Sequence, residues 1–206
     1  MYCRVDFMPV VKRGRVTFNA KYGLEMMTPS GPQVEQSRIT LLQGDITKLA
    51  VDAIVTAANE SLCGGGGVDG AVHRAAGPGL FEECRTIGIC LEGEARITHG
   101  YLLPASRIIH TVGPVWDGGG YGERETLTRC YRESLRLAVE NGVETIAFPC
   151  IATGSYAFPK KQACDIAVTT VSEWIAEHSL PKMISFCCFD DEDCALYQAR
   201  LAAKSS

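Results

Sequence analysis

From Arg38 onward, short apolar runs alternate with longer stretches in which apolar residues recur at helical spacing. The runs Arg38 to Gln43, Val51 to Ala57, Arg107 to Val112, Thr145 to Pro149 and Met183 to Phe189 are rich in Ile, Val, Leu and Phe and have the length of strands. Between them, Glu123 to Glu140 places Leu127, Cys130, Tyr131, Leu135, Ala138 and Val139 on a helical period that Asn141-Gly142 ends. Lys160 to His178 likewise puts Ala163, Ile166, Ala167, Thr170, Val171, Trp174 and Ile175 on one stripe before Pro181 stops it. Gly70 to Thr86 reads as helix interrupted at Gly77-Pro78, Ala95 to Leu103 as strand-like or irregular, and Asp191 to Ala203 as the last helix. Strands separated by helices predict an α/β fold, a layered α/β/α domain with helices on both sheet faces. No internal repeat is found.

The first 37 residues do not share this alternation. They hold Lys12, Arg13, Arg15 and Lys21, the adjacent Met26 and Met27, and the turn-like Thr28-Pro29-Ser30-Gly31-Pro32. Val10 to Phe18 suits a hairpin around Arg13-Gly14, and a flexible extension fits equally well. No apolar h-region marks this segment as a signal peptide. The chain is therefore divided into an N-terminal extension, residues 1–37, and one domain, residues 38–206.

Composition narrows the classes. At 206 residues with 46% hydrophobic content, the chain suffices for a single domain with a full core. A net charge of −4 provides no basic footprint, so nucleic acid is not an expected partner. Apolar runs are far shorter than the roughly 20 residues of a membrane span, and no membrane association is expected. The ten cysteines include no C-x-x-C pair and several lie in apolar runs, as in Phe186-Cys187-Cys188-Phe189. They read as reduced structural thiols, which points to a cytoplasmic setting.

Candidate chemistry centres on Gly64 to His73, where four glycines precede a single carboxylate, Asp69. Glycine has no side chain and tolerates positive φ, so such a loop can wrap its N–H groups around phosphate oxygens at a helix N-terminus. A carboxylate repels phosphate, so Asp69 suits a sugar hydroxyl or a water beside the phosphates. Gly65, Gly67 and Gly70 match G-x-G-x-x-G, but the strand-like run ends at Ala57, too early for a dinucleotide fingerprint. No Lys-[Ser/Thr] pair makes the loop a Walker P-loop either. Two further strand exits look unusual: Gln43 to Thr47, with a Gly-Asp turn, and Pro149 to Tyr156, small residues followed by an aromatic. Phe189, at the end of the last strand, is placed to stack on a base.

Each of these residues also has a plainer reading. Asp69 and Asp45 suit helix N-caps, Asn59 suits a turn, and Phe189 suits the core. His73 and His110 sit in apolar contexts that favour packed structural roles. The four histidines lack metal-ligand spacing, and no Ser-His-Asp or Cys-His pattern can be placed in one site. Neither a catalytic metal nor a cofactor is expected.

Five ordered motifs carry a family resemblance: Gly-Asp-Ile-Thr at 44–47, Val-Thr-Ala-Ala-Asn at 55–59, the glycine loop through His73, Ile-His-Thr-Val-Gly-Pro at 109–114 and Ile-Ala-Thr-Gly at 151–154. Together, across about residues 38 to 201, they resemble the macro domain, its MacroD-like branch, and especially the bacterial O-acetyl-ADP-ribose deacetylases. The resemblance implies a three-layer α/β/α fold with a mixed central sheet and a pocket for ADP-ribose and O-acetyl-ADP-ribose, with mono-ADP-ribosylated proteins as further partners. It implies that Asp45 accepts from the adenine amino group with Ile46 beside it. Gly67, Val68, Ala152, Thr153, Gly154, Ser155 and Tyr156 would hold the diphosphate and distal ribose largely through backbone N–H groups. Asn59 would bind distal-ribose hydroxyls, Asp69 would orient or deprotonate the attacking water, and Phe189 would flank the adenosine. The reactions implied are deacetylation of O-acetyl-ADP-ribose and release of mono-ADP-ribose from acidic side chains.

Two positions depart from the pattern. Thr56 stands where the family usually has Asn, and Ala152 where it usually has Ser. The second change keeps a backbone donor and loses a hydroxyl. Two other classes stay open: a reader that binds ADP-ribose without turnover, and a regulator of a protein or RNA partner, for which the acidic charge offers no support.

Overall fold

The computed structural model describes residues 38–203, so both readings of residues 1–37 lie outside it. Six strands form one sheet: β1 (Ile39–Gln43), β2 (Ala53–Ala57), β3 (Ala95–His99), β4 (Arg107–Thr111), β5 (Thr145–Phe148) and β6 (Met183–Cys188). Their spatial order is β1-β6-β5-β2-β4-β3. Every neighbouring pair is parallel except β3 with β4, which makes the sheet mixed. Five helices cover it: α1 (Gly67–Ala76), α2 (Pro78–Ile87), α3 (Glu123–Glu140), α4 (Lys160–Glu177) and α5 (Asp191–Ala202).

The period of two along each strand sorts the core into two layers. Val55, Ile109, Ile146, Phe148, Ile184 and Phe186 pack against Leu127, Tyr131 and Leu135 of α3, Ala167 and Val171 of α4, and Tyr197 of α5. On the opposite face, Ile54, Ile108, Ala147 and Cys187 pack against Val72 and Ala76 of α1 and Leu80 and Cys84 of α2. Helices on both faces of a mixed sheet give the three-layer α/β/α architecture expected from the alternating pattern. β2 is held on both sides, by β5 and β4, and its outward alternation leaves Thr56 on the α1 face.

Three local outcomes differ from the sequence pattern. The helix expected from Gly70 begins at Gly67, because the glycine run already turns and Gly66 serves as an N-cap with no side chain. The interruption at Gly77-Pro78 splits two helices, with Gly77 at φ 81° and Pro78 opening α2, where its missing N–H costs nothing. Only Ala95–His99 of the ambiguous third segment is strand, paired antiparallel at the sheet edge.

A buried carboxylate shapes the loop before α3. Glu123 Oε1 accepts from the N–H groups of Asp117 (3.1 Å) and Gly119 (2.8 Å), and Oε2 from that of Tyr121 (2.7 Å). Burial pushes this carboxyl up, but the backbone donors outweigh it and hold it down at about 2. The residue just before this loop, Trp116, donates its N–H to the Tyr156 carbonyl (2.9 Å) and packs its ring on Phe158 (4.7 Å).

Glu123 therefore contributes stability that is fully present above the ordinary glutamate value of 4.5 and is lost as pH falls through about 2. Urea unfolding of Glu123→Gln and wild type is expected to show a gap at neutral pH that narrows across that window. A gap independent of pH would reject the role assigned to the carboxylate.

Candidate active site

Parallel strands deliver their exits to one edge, and there the structure opens a cavity of about 750 Å³. The exit of β1 supplies Gly44, Asp45 and Ile46, and that of β2 supplies Asn59 and the glycine loop into α1. The exit of β5 supplies Cys150 and residues 152–156, and that of β6 supplies Phe189. Asp45, Ile46, Asn59, Gly67, Val68, Asp69, Ala152, Thr153, Gly154, Ser155, Tyr156 and Phe189 all line this one cavity.

Asp69 lies in the first turn of α1 and is 3% exposed. It is not the cap. Its Oδ1 accepts from the Thr56 hydroxyl at 3.1 Å, and His73 Nε2 stands 3.9 Å from the same oxygen. Oδ2 is buried and has no hydrogen-bond partner among the described residues. Burial raises this carboxyl above its ordinary value, against the opposing pull of His73 and the Thr56 hydrogen bond. The result is a carboxylate of heightened basicity with one oxygen anchored and one uncommitted.

The uncapped start of α1 sits beside it. Gly66 provides no side-chain acceptor and the Gly70 N–H reaches the Gly66 carbonyl, so the preceding first-turn N–H groups have no partner further up the helix. Such a terminus favours anions. Gly67 adopts φ 56°, where glycine is favoured, and a Cβ on Gly70 would overlap the Gly65 carbonyl oxygen. The glycine run is thus set by backbone conformation at one position and close approach at another.

On the opposite wall, Thr153 donates its hydroxyl to the Cys150 carbonyl (3.1 Å), and the N–H groups of Ala157 and Phe158 reach the carbonyls of Gly154 (2.9 Å) and Ala152 (3.1 Å). Ala152 is held at φ 65°, so the loop relies on a left-handed backbone here rather than on a hydroxyl. A Cβ on Gly113 would approach that of Ala152 to 3.0 Å, which shows how closely the exit of β4 abuts this loop.

Three plainer readings meet different outcomes. Asp45 does cap the short 3-10 helix Ile46–Lys48, accepting from the Thr47 N–H (2.9 Å) and hydroxyl (2.7 Å), but both bonds fall on Oδ1. The Thr47 hydroxyl leads the effects that hold this carboxyl below its ordinary value. Asn59 braces its own loop, donating to the Gly64 carbonyl (2.8 Å) and accepting from the Ser61 hydroxyl (2.7 Å). Each end of the amide keeps one further hydrogen-bonding valence. Phe189 is 83% exposed and therefore no part of the core. The next residue, Asp190, caps α5 through the Asp193 N–H (2.8 Å), while Lys160 bridges to Asp190 at 2.9 Å.

Several lining residues escaped the sequence reading. Arg74, one turn beyond Gly70, adds a cation to the lining of the cavity, and Asp193 adds a buried carboxyl. Gly113 was legible as part of a motif, whereas nothing in the local sequence marks Arg74. Beneath Asp69, the fold also gathers His73, Cys84 and His110, with donor atoms within 4.8 Å of one another, although their sequence spacing forms no motif. Burial pushes the Cys84 thiol up to about 12 and His110 down to about 3, and His110 Nε2 pairs with the Thr98 hydroxyl at 2.9 Å. Near neutral pH the thiol is protonated and His110 uncharged, which suits packing; ligation of a soft metal would require the thiolate.

The family model of the macro domain matches residues 55–167. The chain is 59% identical over 165 residues to a macro domain-containing protein of Chlorobaculum tepidum, covering 80% of this chain and 96% of that one. It is 55% identical over 170 residues to an O-acetyl-ADP-ribose deacetylase of Escherichia fergusonii, covering 81% and 96%. Among solved structures, the Oceanobacillus iheyensis macrodomain with ADP superposes with a TM-score of 0.77 at 39% identity, covering 80% of this chain and 90% of that chain. The Trypanosoma brucei macrodomain in complex with ADP-ribose superposes at 0.75 with 43% identity, covering 80% and 69%.

Gly70→Ala tests the close approach at the glycine loop. Replacing a helical glycine by alanine ordinarily gains about 0.5–1 kcal/mol, whereas here the methyl group must displace the Gly65 backbone. A net loss of about 1–3 kcal/mol, typical of overpacking, is expected in thermal or urea unfolding. Stabilisation by the substitution would show that the loop yields freely.

Proposed function

The chain belongs to the macro domain family, and we propose that it binds ADP-ribose in the cavity and hydrolyses esters of its distal ribose. The substrates in this reading are O-acetyl-ADP-ribose and proteins carrying mono-ADP-ribose on acidic side chains. One observation carries it: Asp69 is a buried carboxylate with an uncommitted oxygen, set beside an uncapped helix N-terminus on the wall of a cavity of about 750 Å³. The named deacetylase relative and the ADP-ribose complex of a structural neighbour support the same ligand class.

In this reading the diphosphate lies between the start of α1, at Gly67 and Val68, and the amides of Ala152 to Tyr156. Asp45 accepts from the adenine amino group beside the Ile46 amide, and Phe189 flanks the adenosine. Asn59 orients the distal ribose with the valences left over from bracing its loop. Asp69 takes a proton from water as the water oxygen attacks the acyl carbon. The acyl bond to the ribose oxygen breaks, that oxygen receives the proton held by Asp69, and ADP-ribose and the free acid leave with the carboxylate regenerated. Burial of Asp69 makes it a stronger base than an exposed carboxylate.

Incubation with O-acetyl-ADP-ribose, followed by mass, is expected to yield ADP-ribose and acetate. In Asp69→Ala, turnover is expected to fall by roughly 10²–10⁴, the range for a positioned acid or base, with little change in ADP-ribose affinity. Binding without turnover by wild type would make the protein a reader instead. Asp45→Ala is expected to weaken ADP-ribose binding by about 1–3 kcal/mol through loss of a charge-assisted hydrogen bond. Calorimetry giving equal affinities would remove Asp45 from the base site.

A further inference from the structure

We infer that Thr56 is a positioning residue for the reaction: its hydroxyl fixes Asp69 Oδ1 against the sheet and thereby presents Oδ2 to the attacking water. The inference rests on the ester-hydrolase reading given above and adds to it the division of labour between the two carboxylate oxygens.

Thr56 is fully buried on β2, a central strand whose neighbours are β4 and β5. Its backbone is held in register opposite His110, and a β-branched side chain has few χ1 choices. The hydroxyl is therefore anchored in a stiff part of the molecule, whereas Asp69 stands on the first turn of α1, just after a run of glycines. The 3.1 Å bond joins the two through Oδ1. His73 Nε2 approaches that same oxygen, at 3.9 Å, so both neighbouring polar groups are gathered on one side of the carboxylate.

Oδ2 faces the other way. It is buried and has no hydrogen-bond partner among the described residues. A Cβ built on Gly65 would lie 3.9 Å from Oδ2 and 3.4 Å from Asn59 Nδ2, which puts this oxygen and the Asn59 amide on the same glycine of the loop. Water admitted there by a small shift of the Gly65 backbone would lie next to the residue proposed to orient the ribose. A half-turn of the carboxylate merely exchanges equivalent oxygens, but turning it part way would strip the Thr56 hydroxyl of its acceptor in a dry interior, a cost that favours the observed plane. Thr56 touches neither substrate nor water in this arrangement and acts through Asp69 alone.

Thr56→Val keeps the shape and removes the donor, while Thr56→Ser keeps the donor and removes the methyl group. With O-acetyl-ADP-ribose, kcat of Thr56→Val is expected to fall by about tenfold to a hundredfold, with KM and the ADP-ribose Kd within about twofold of wild type. Thr56→Ser is expected to retain kcat within about threefold, since the donor survives. In an Asp69→Ala background, Thr56→Val is expected to cause no further loss, the mark of two residues acting as one unit. The opposite ranking, Val active and Ser impaired, would make the methyl packing the important feature and overturn the inference, as would additive losses in the double variant. Crystal structures of the same proteins keep the test independent of turnover. A rotated Asp69 carboxylate in Thr56→Val, restored in Thr56→Ser, is expected; an unchanged carboxylate in Thr56→Val overturns the inference even if wild type proves inactive. Absence of turnover in wild type would count against the hydrolase reading, while the carboxylate orientation would still decide the role of Thr56.

Discussion

Because β1, β6, β5, β2 and β4 run in one direction, each must leave the sheet at the same edge and return over a covered face. That directional constraint brings together segments distant in sequence, from Asp45 to Phe189. Only β3 escapes it, and its antiparallel pairing places it at the far edge beside β4. The cavity is therefore a product of topology before it is a product of any side chain. Packing on both faces then holds the exits still, with aromatic contacts running from Tyr131 through Phe148 and Phe186 to Tyr197.

Within that frame the costly element is a carboxylate out of water. Burial alone would drive Asp69 toward its neutral form, and the raised value reflects this. Two supports oppose it, a hydroxyl from the strand and a histidine one turn along the helix. Neither pairs with Oδ2, so the fold leaves a buried acceptor without a partner among the described residues, on a residue that lines the cavity. Glu123 offers the contrast: both of its oxygens are engaged by backbone N–H groups, and it shapes a loop with neither oxygen left without a partner.

The strands and long helices were legible because their apolar periods differ, and the third strand was ambiguous because it lies at an edge with mixed burial. α1 starts three residues before the position its sequence predicts, since a glycine run carries no capping side chain to announce a helix. Residues that belong to ordered loop motifs could be nominated from sequence, and the structure brings them to one cavity. Arg74 and Asp193 could not, because their relevance depends on which helix ends border that cavity. Nor could the meeting of His73, Cys84 and His110, which lie on three different elements. Thr56 stood out as a departure, but its partner became visible only once β2 and α1 were packed together.

The left-handed backbone at Ala152 bears on how this chain can drift over generations. An alanine and a serine carry the same Cβ and meet nearly the same steric penalty at positive φ, so exchanging one for the other leaves the course of the loop unchanged. Where a wall is written in main-chain direction, side-chain chemistry is a poor record of its heritage. Variation can accumulate at such positions while the space enclosed by the loop keeps its form.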